Sequence, residues 1–113
     1  MTIYAFAYLR RRPGMSRKEV RQAVREITAF IEQHGFALAG VHYESRVGRR
    51  VRVWRDLVGD CRGEGVTHVI VPSLDHFHAW PELASYMRDE LAQAVRGRVW
   101  VADSDAVRVG GAP

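Results

Sequence analysis

The sequence predicts an α/β fold: a three-layer domain around a mainly parallel four-stranded sheet, strand order 2-1-3-4, with helices on both faces. Three observations carry this. Strand-like and helix-like hydrophobic periods alternate along the chain as β-α-β-α-β-α-β, an order that joins parallel strands by right-handed crossovers. Residues 66–71 are apolar on both alternating faces apart from Thr67 and His68, the pattern of a central strand covered by helices on each side. The 113 residues are enough for one hydrophobic core and too few for two. The domain is therefore placed at residues 1–105, with 106–113 as a flexible tail lacking periodicity.

Each element follows in order. Residues 2–9 form a strand that stops at Arg10, Arg11, Arg12, Pro13 and Gly14, a charged loop with two turn residues. Ser16 and Glu19 have the spacing of a capping box. Val20, Ala23, Val24, Ile27, Phe30 and Ile31 then make one apolar stripe, and Gly35 closes the helix as a left-handed cap. Residues 36–44 are the second strand, and residues 45–50 a loop around Gly48. Val53, Trp54, Leu57, Val58 and Cys61 repeat helically over residues 51–62, ending at Gly63 or Gly65. After the central strand, Pro72 stops pairing and carries Asp75, His76 and His78 to one rim. Pro81 opens a third helix with the stripe Leu83, Ala84, Met87, Leu91, Ala94 and Val95. Gly97 ends that helix, and residues 99–102 are the last strand.

Composition narrows the function classes. Hydrophobic residues are 47% and charged residues 27%, with a formal net charge of +4, ordinary for a globular protein and far from histone-like. Lys18 is the only lysine, so the basicity is arginine, the side chain suited to bidentate phosphate or carboxylate contact. Cys61 is the only cysteine, which excludes an intrachain disulfide and makes a cytoplasmic location the expectation. No apolar run approaches the roughly 20 residues of a membrane span, and no membrane association is expected. Nothing in the pattern calls for a cofactor.

With the first and third strands as central neighbours, the switch point lies between them, and the loop at Arg10–Arg12 faces the loop at Asp75–His78. Two readings stand for the arginines: they hold a phosphate or other anion beside the amino end of the first helix, or Arg10 pairs with Asp75 while Arg11 and Arg12 are solvated. Asp75, His76 and His78 are the metal-ligand candidates, with Asp103 or Asp105 to complete a set. A His-x-His pair without further support does not define a metal site. His68 reads as a core residue. Arg46, Arg49, Arg50, Arg52 and Arg55 form the densest basic segment, an exposed helix face or a track for a nucleic-acid backbone. Trp80 is an aromatic free to cover a partner surface.

Tyr8-Leu9-Arg10 closing the first strand, Tyr43-Glu44 with Gly48 after the second, Arg52 opening the second helix, and Gly65 leading through an apolar strand to Leu74-Asp75 resemble the catalytic domain of the serine recombinase (resolvase/invertase) family. The likeness runs in order and spacing over nearly all of residues 1–103. It implies a resolvase-like fold. In that family a serine two residues after the Tyr-x-Arg arginine attacks a DNA phosphodiester, and surrounding arginines hold the phosphate and stabilise developing charge.

This chain departs from the pattern where the chemistry happens. Arg10, Arg52 and Asp75 match. The nucleophile position is Arg12, His76 stands for the arginine after Asp75, Ala79 for the arginine three further on, and Ser45 and Val47 replace acidic and serine positions before Gly48. A guanidinium stays protonated and presents only donors, so Arg12 cannot be the nucleophile. Ser16 is committed to its cap, and Ser73 is on the far side of Asp75 from the expected phosphate. The resemblance also implies a long dimer helix and a DNA-binding region after the last strand, neither of which reads from residues 104–113; strand exchange and sequence-specific DNA binding are therefore not expected. Two functions remain: a noncatalytic interaction or DNA-associated regulatory module, binding a protein partner or itself and touching DNA weakly and nonspecifically, or an active recombinase fragment or phosphate-ester hydrolase working through Asp75, His76 and His78.

Overall fold

The computed structural model of the chain describes residues 2–45 and 50–103, and of Arg50 and Val51 the backbone alone. The four strands are β1 (Ile3–Arg10), β2 (Phe36–Glu44), β3 (His68–Val71) and β4 (Arg98–Val101), and the helices are α1 (Arg17–His34), α2 (Arg50–Glu64) and α3 (Pro81–Val95). All pairings are parallel, in the order β2-β1-β3-β4. No described helix is long and apolar enough to cross a membrane.

The sheet splits the domain's core into two layers by side-chain alternation. Ala5, Ala7, Leu9 and Ile70 pack with Ala23, Ile27 and Phe30 of α1. Phe6, Tyr8, Val69, Val71, Val99 and Val101 face the other way, onto Leu57 and Cys61 of α2 and Ala84, Leu91 and Val95 of α3. That is the three-layer arrangement the hydrophobic periods demand.

Helix ends follow local chemistry. Ser16 accepts from the Glu19 amide at 3.1 Å while the Glu19 carboxylate reaches back to the Ser16 amide, and Gly35 takes φ 71°. Gly65, at φ 69°, follows the end of α2. The end of α3 differs from the sequence expectation. Arg96 adopts the left-handed conformation at φ 55°, because Gly97 is needed for something else: a Cβ there would sit 1.8 Å from the Thr67 carbonyl oxygen.

That crossing also explains a shorter central strand than residues 66–71. The Val66 amide turns back to the Cys61 carbonyl and the Thr67 carbonyl accepts from Arg98, so regular pairing begins at His68. The first strand runs one residue further than expected, through Arg10, which pairs with Glu44. Between Ala5 and Phe6 the partner register skips Ala39, and this bulge lies beside Gly40, whose missing Cβ leaves room for the Phe6 ring. The expectations for the loop around Gly48 and the tail at 106–113 lie outside the described residues.

Candidate functional site

The carboxyl ends of β1 and β3 bring the two loops together. After Val71, Pro72 leaves the sheet and Leu74–His76 make a single 3₁₀ turn. β1 pairs with β3 only at Phe6–Val69 and Ala7–Ile70, which leaves the Arg10 amide beyond the ladder. His76 Nδ1 accepts from that amide at 3.0 Å. A part-buried backbone donor is thereby satisfied by a side chain from the neighbouring loop.

His76 is therefore not a rim residue. It is 2% exposed, and it is absent from the walls of the cleft beside it. Burial, then the Arg12 charge, push its imidazole down to about 4, with Asp75 opposing the drop and Arg10 adding to it. It is neutral at pH 7, and an acceptor at Nδ1 places its proton on Nε2.

The ion pair also differs from the sequence expectation. Arg12, not Arg10, is bonded to Asp75, through Nη1 and Oδ2. Arg10 instead donates from Nη1 to the Phe77 carbonyl at 3.4 Å. The chain geometry accounts for the exchange: Arg10 is still in the strand and held over the 3₁₀ turn, while Arg12 has entered the loop and can swing to the carboxylate. Ser73 donates to the other Asp75 oxygen. The Nε–H of Arg12 has no partner among the described residues.

A cleft of about 500 Å³ opens above these groups, lined by Arg10, Arg12, Met15, Glu19, Asp75 and His78 among others. Its two arginines are matched by two carboxylates, so its charge is largely cancelled from within. Arg11 lies on a neighbouring hollow with Arg12 and Ser45. Arg52 is exposed in the first turn of α2 and does not line the cleft, and Arg55 faces an apolar groove between α2 and α3. Arg46, Val47, Gly48, Arg49 and Asp105 lie outside the described residues, as does the side chain of Arg50.

Of the metal candidates, Asp75, His76 and His78 are engaged in hydrogen bonds. His76 Nδ1 is used as above, and His78 Nδ1 accepts from the Trp80 amide at 2.9 Å. Asp103 donates its amide to the Pro72 carbonyl at 3.1 Å. Among the described residues no three His, Cys, Asp or Glu side chains come together as a metal set. Burial and the neighbouring Asp60 and Glu64 charges push the Cys61 thiol up to about 11, which removes it as a nucleophile.

Tyr8 and Glu44, which entered the sequence reading only as markers of the resemblance, pair beneath the site. Glu44 is 3% exposed and accepts from the Tyr8 hydroxyl at 2.9 Å, while the Tyr8 ring stacks on Phe77 at 5.7 Å and meets the edge of Trp54. The signal was available in the alternation: Tyr8 and Arg10, with their partners His42 and Glu44, all point to the α2 side.

The architecture is that of serine recombinase catalytic domains. At 15% identity the chain superimposes on a resolvase family site-specific recombinase from Streptococcus pneumoniae with a TM-score of 0.70, covering 96% of this chain and 80% of that one. The N-terminal catalytic domain of TP901-1 integrase gives 0.68 at 14% identity, over 95% and 85%. The C-terminal catalytic domain of ISC1926 TnpA, an IS607-like serine recombinase, gives 0.66 at 16%, over 88% and 69%. No protein-family model and no curated protein sequence matches the chain.

Proposed function

We propose that the chain is a serine-recombinase-like domain that has lost strand-cleaving chemistry and acts as an interaction module with a DNA-associated regulatory role. One observation carries the reading. The position that the resemblance gives to the nucleophile is Arg12, whose guanidinium is bonded to Asp75. A protonated guanidinium offers no lone pair to a phosphorus atom, and the residue beside Asp75 is a buried imidazole with its acceptor nitrogen engaged. Arginines also favour a limited DNA contact: Arg11 and Arg12 at the rim and the exposed Arg52 and Arg55 away from it on α2 supply phosphate-binding donors, with no groove-reading element among the described residues. Such contact is weak, indifferent to sequence and sensitive to salt.

Incubation with supercoiled and linear DNA, with and without divalent metal, tests the chemistry. The expected result is neither nicking nor a covalent protein–DNA adduct. Cleavage that disappears in His76→Ala or Asp75→Asn would overturn the reading in favour of a working recombinase or phosphate-ester hydrolase. For the binding part, DNA retention should fall steeply as salt rises.

A further inference from the structure

The two edges of the sheet are finished differently. At β4, Arg88 reaches over from α3 and donates from Nε and Nη2 to the Val99 carbonyl, at 3.1 and 2.8 Å, so this four-residue edge is partly capped. β2 is nine residues long, and among the described residues no hydrogen bond from outside the sheet reaches the backbone of residues 36–43. Natural edge strands are blunted with lysine, proline or inward charge. Residues 36–43 contain none of these; β2 does carry a bulge at Ala39 and a buried Glu44 at its last position, and residues 40–43 between them have neither device.

β2 also carries an uncovered apolar stripe. Leu38, Val41 and Tyr43 are 45%, 50% and 41% exposed. In a regular strand residues 38 and 41 would point to opposite faces. The bulge at Ala39 brings them into line, so that all three pair with Ala5, Ala7 and Leu9 on the α1 side, beyond the reach of α1. Past the bulge, residues 40–44 are a regular run; the Glu44 carbonyl accepts from the Arg11 amide on the β1 side, and no other backbone bond from outside the sheet reaches the run among the described residues.

We propose that residues 40–44 pair antiparallel with the same segment of a second copy of this chain, about a twofold axis through His42. This rests on the reading of the chain as an interaction module and names its partner. The edge is complementary to itself. In this register Val41 lies across from Tyr43 of the second copy, twice over, the kind of β-branched and aromatic pair that stabilises antiparallel ladders. Charge favours the arrangement as well. Glu44 is buried beneath Tyr8, and each His42 is held on the other face against its own Asp60 at 3.0 Å, so no uncompensated like charges meet across the axis. A twofold contact of this kind closes after two copies, leaving no edge for a filament.

Sedimentation velocity on the full chain over a wide concentration range tests this. The expected result is a monomer–dimer equilibrium that approaches twice the chain mass. Val41→Lys, at an exposed position, should shift it to monomer, with a thermal midpoint equal to that of the wild type at dilutions where the wild type is itself monomeric. Tyr86→Lys, equally exposed on α3, should leave the dimer intact. Amide exchange at residues 41–43 should slow severalfold as the chain is concentrated. A wild-type chain that stays monomeric, a dimer that survives Val41→Lys, or one that Tyr86→Lys abolishes would overturn the proposal. DNA cleavage in the plasmid assay would remove the noncatalytic reading and leave the sedimentation result standing, so the two failures are distinct.

Discussion

Both loops and strands around β3 use histidine as an acceptor, but its two ends do different work. At the amino end His68 accepts from the Trp100 indole at 3.2 Å, within a cluster of Phe36 and Trp100 rings; burial and the nearby Arg98 lower its pKa. Arg98 in turn lies 3.6 Å over the Trp100 ring. That end is aromatic packing with one polar link. At the carboxyl end His76 is sealed, and it holds a backbone amide of the neighbouring strand while an arginine–carboxylate pair closes the loop above it. The lesson is that a histidine beside an acid at the mouth of an α/β sheet can be structural cement. What distinguishes it from a catalyst is burial and an engaged acceptor nitrogen.

The comparison can be broken most forcefully at His76. Truncation to alanine orphans the Arg10 amide and leaves a cavity, a combination that costs about 2–4 kcal/mol and is measured by denaturant unfolding. The same group makes stability acid-sensitive. Its folded pKa of about 4 lies below the ordinary 6.5, so the unfolded chain binds the proton first. Stability is complete above pH 6.5 and falls as pH drops toward 4, by up to about 3 kcal/mol from this group. His76→Ala should flatten that slope.

His68→Ala should cost less, about 1 kcal/mol, because His68 and Trp100 are both part-exposed and water can replace the lost acceptor. Its thermal midpoint should fall by a smaller margin than that of His76→Ala; an equal or larger fall would erase the distinction between the two ends.

The smallest effect on stability belongs to Asp75→Ala. The pair with Arg12 is substantially exposed, and such pairs contribute about 0–1 kcal/mol. The informative readout is binding. Removing the carboxylate frees Arg12 and leaves the cleft with an excess of cation, so DNA affinity should rise and its salt dependence steepen by about one phosphate contact. Fluorescence anisotropy against salt concentration measures both.

Much of the fold was legible because hydrophobic period, caps and turns agreed. The Ser16–Glu19 box, Gly35, Gly65 and the apolar strand at 66–71 each reported a local constraint, and the strand order followed from placing the strand apolar on both faces in the centre. The misreadings were tertiary. Nothing local says that Gly97 must pass within contact of Thr67, which shortens β3 and moves the left-handed cap to Arg96. Residue types alone likewise could not tell which of three successive arginines reaches Asp75; that depends on where β1 ends. His76 read as a rim residue because its neighbours in sequence are polar, whereas the 3₁₀ turn rotates it inward. Glu44 went unnoticed as part of the site because a carboxylate is seldom buried, and its partner Tyr8 lies thirty-six residues away.

The rim is closed by its own side chains, with His76 as a neutral, buried acceptor. Nitrogen-15 NMR of the histidine side chains over an acid titration tests it most directly. The expected result is a single Nε2–H tautomer for His76 that persists through neutral pH and titrates only near 4, with slow solvent exchange. A resonance that titrates near 6.5, or that exchanges rapidly with water at pH 7, would contradict it and reopen His76 as a working acid–base group.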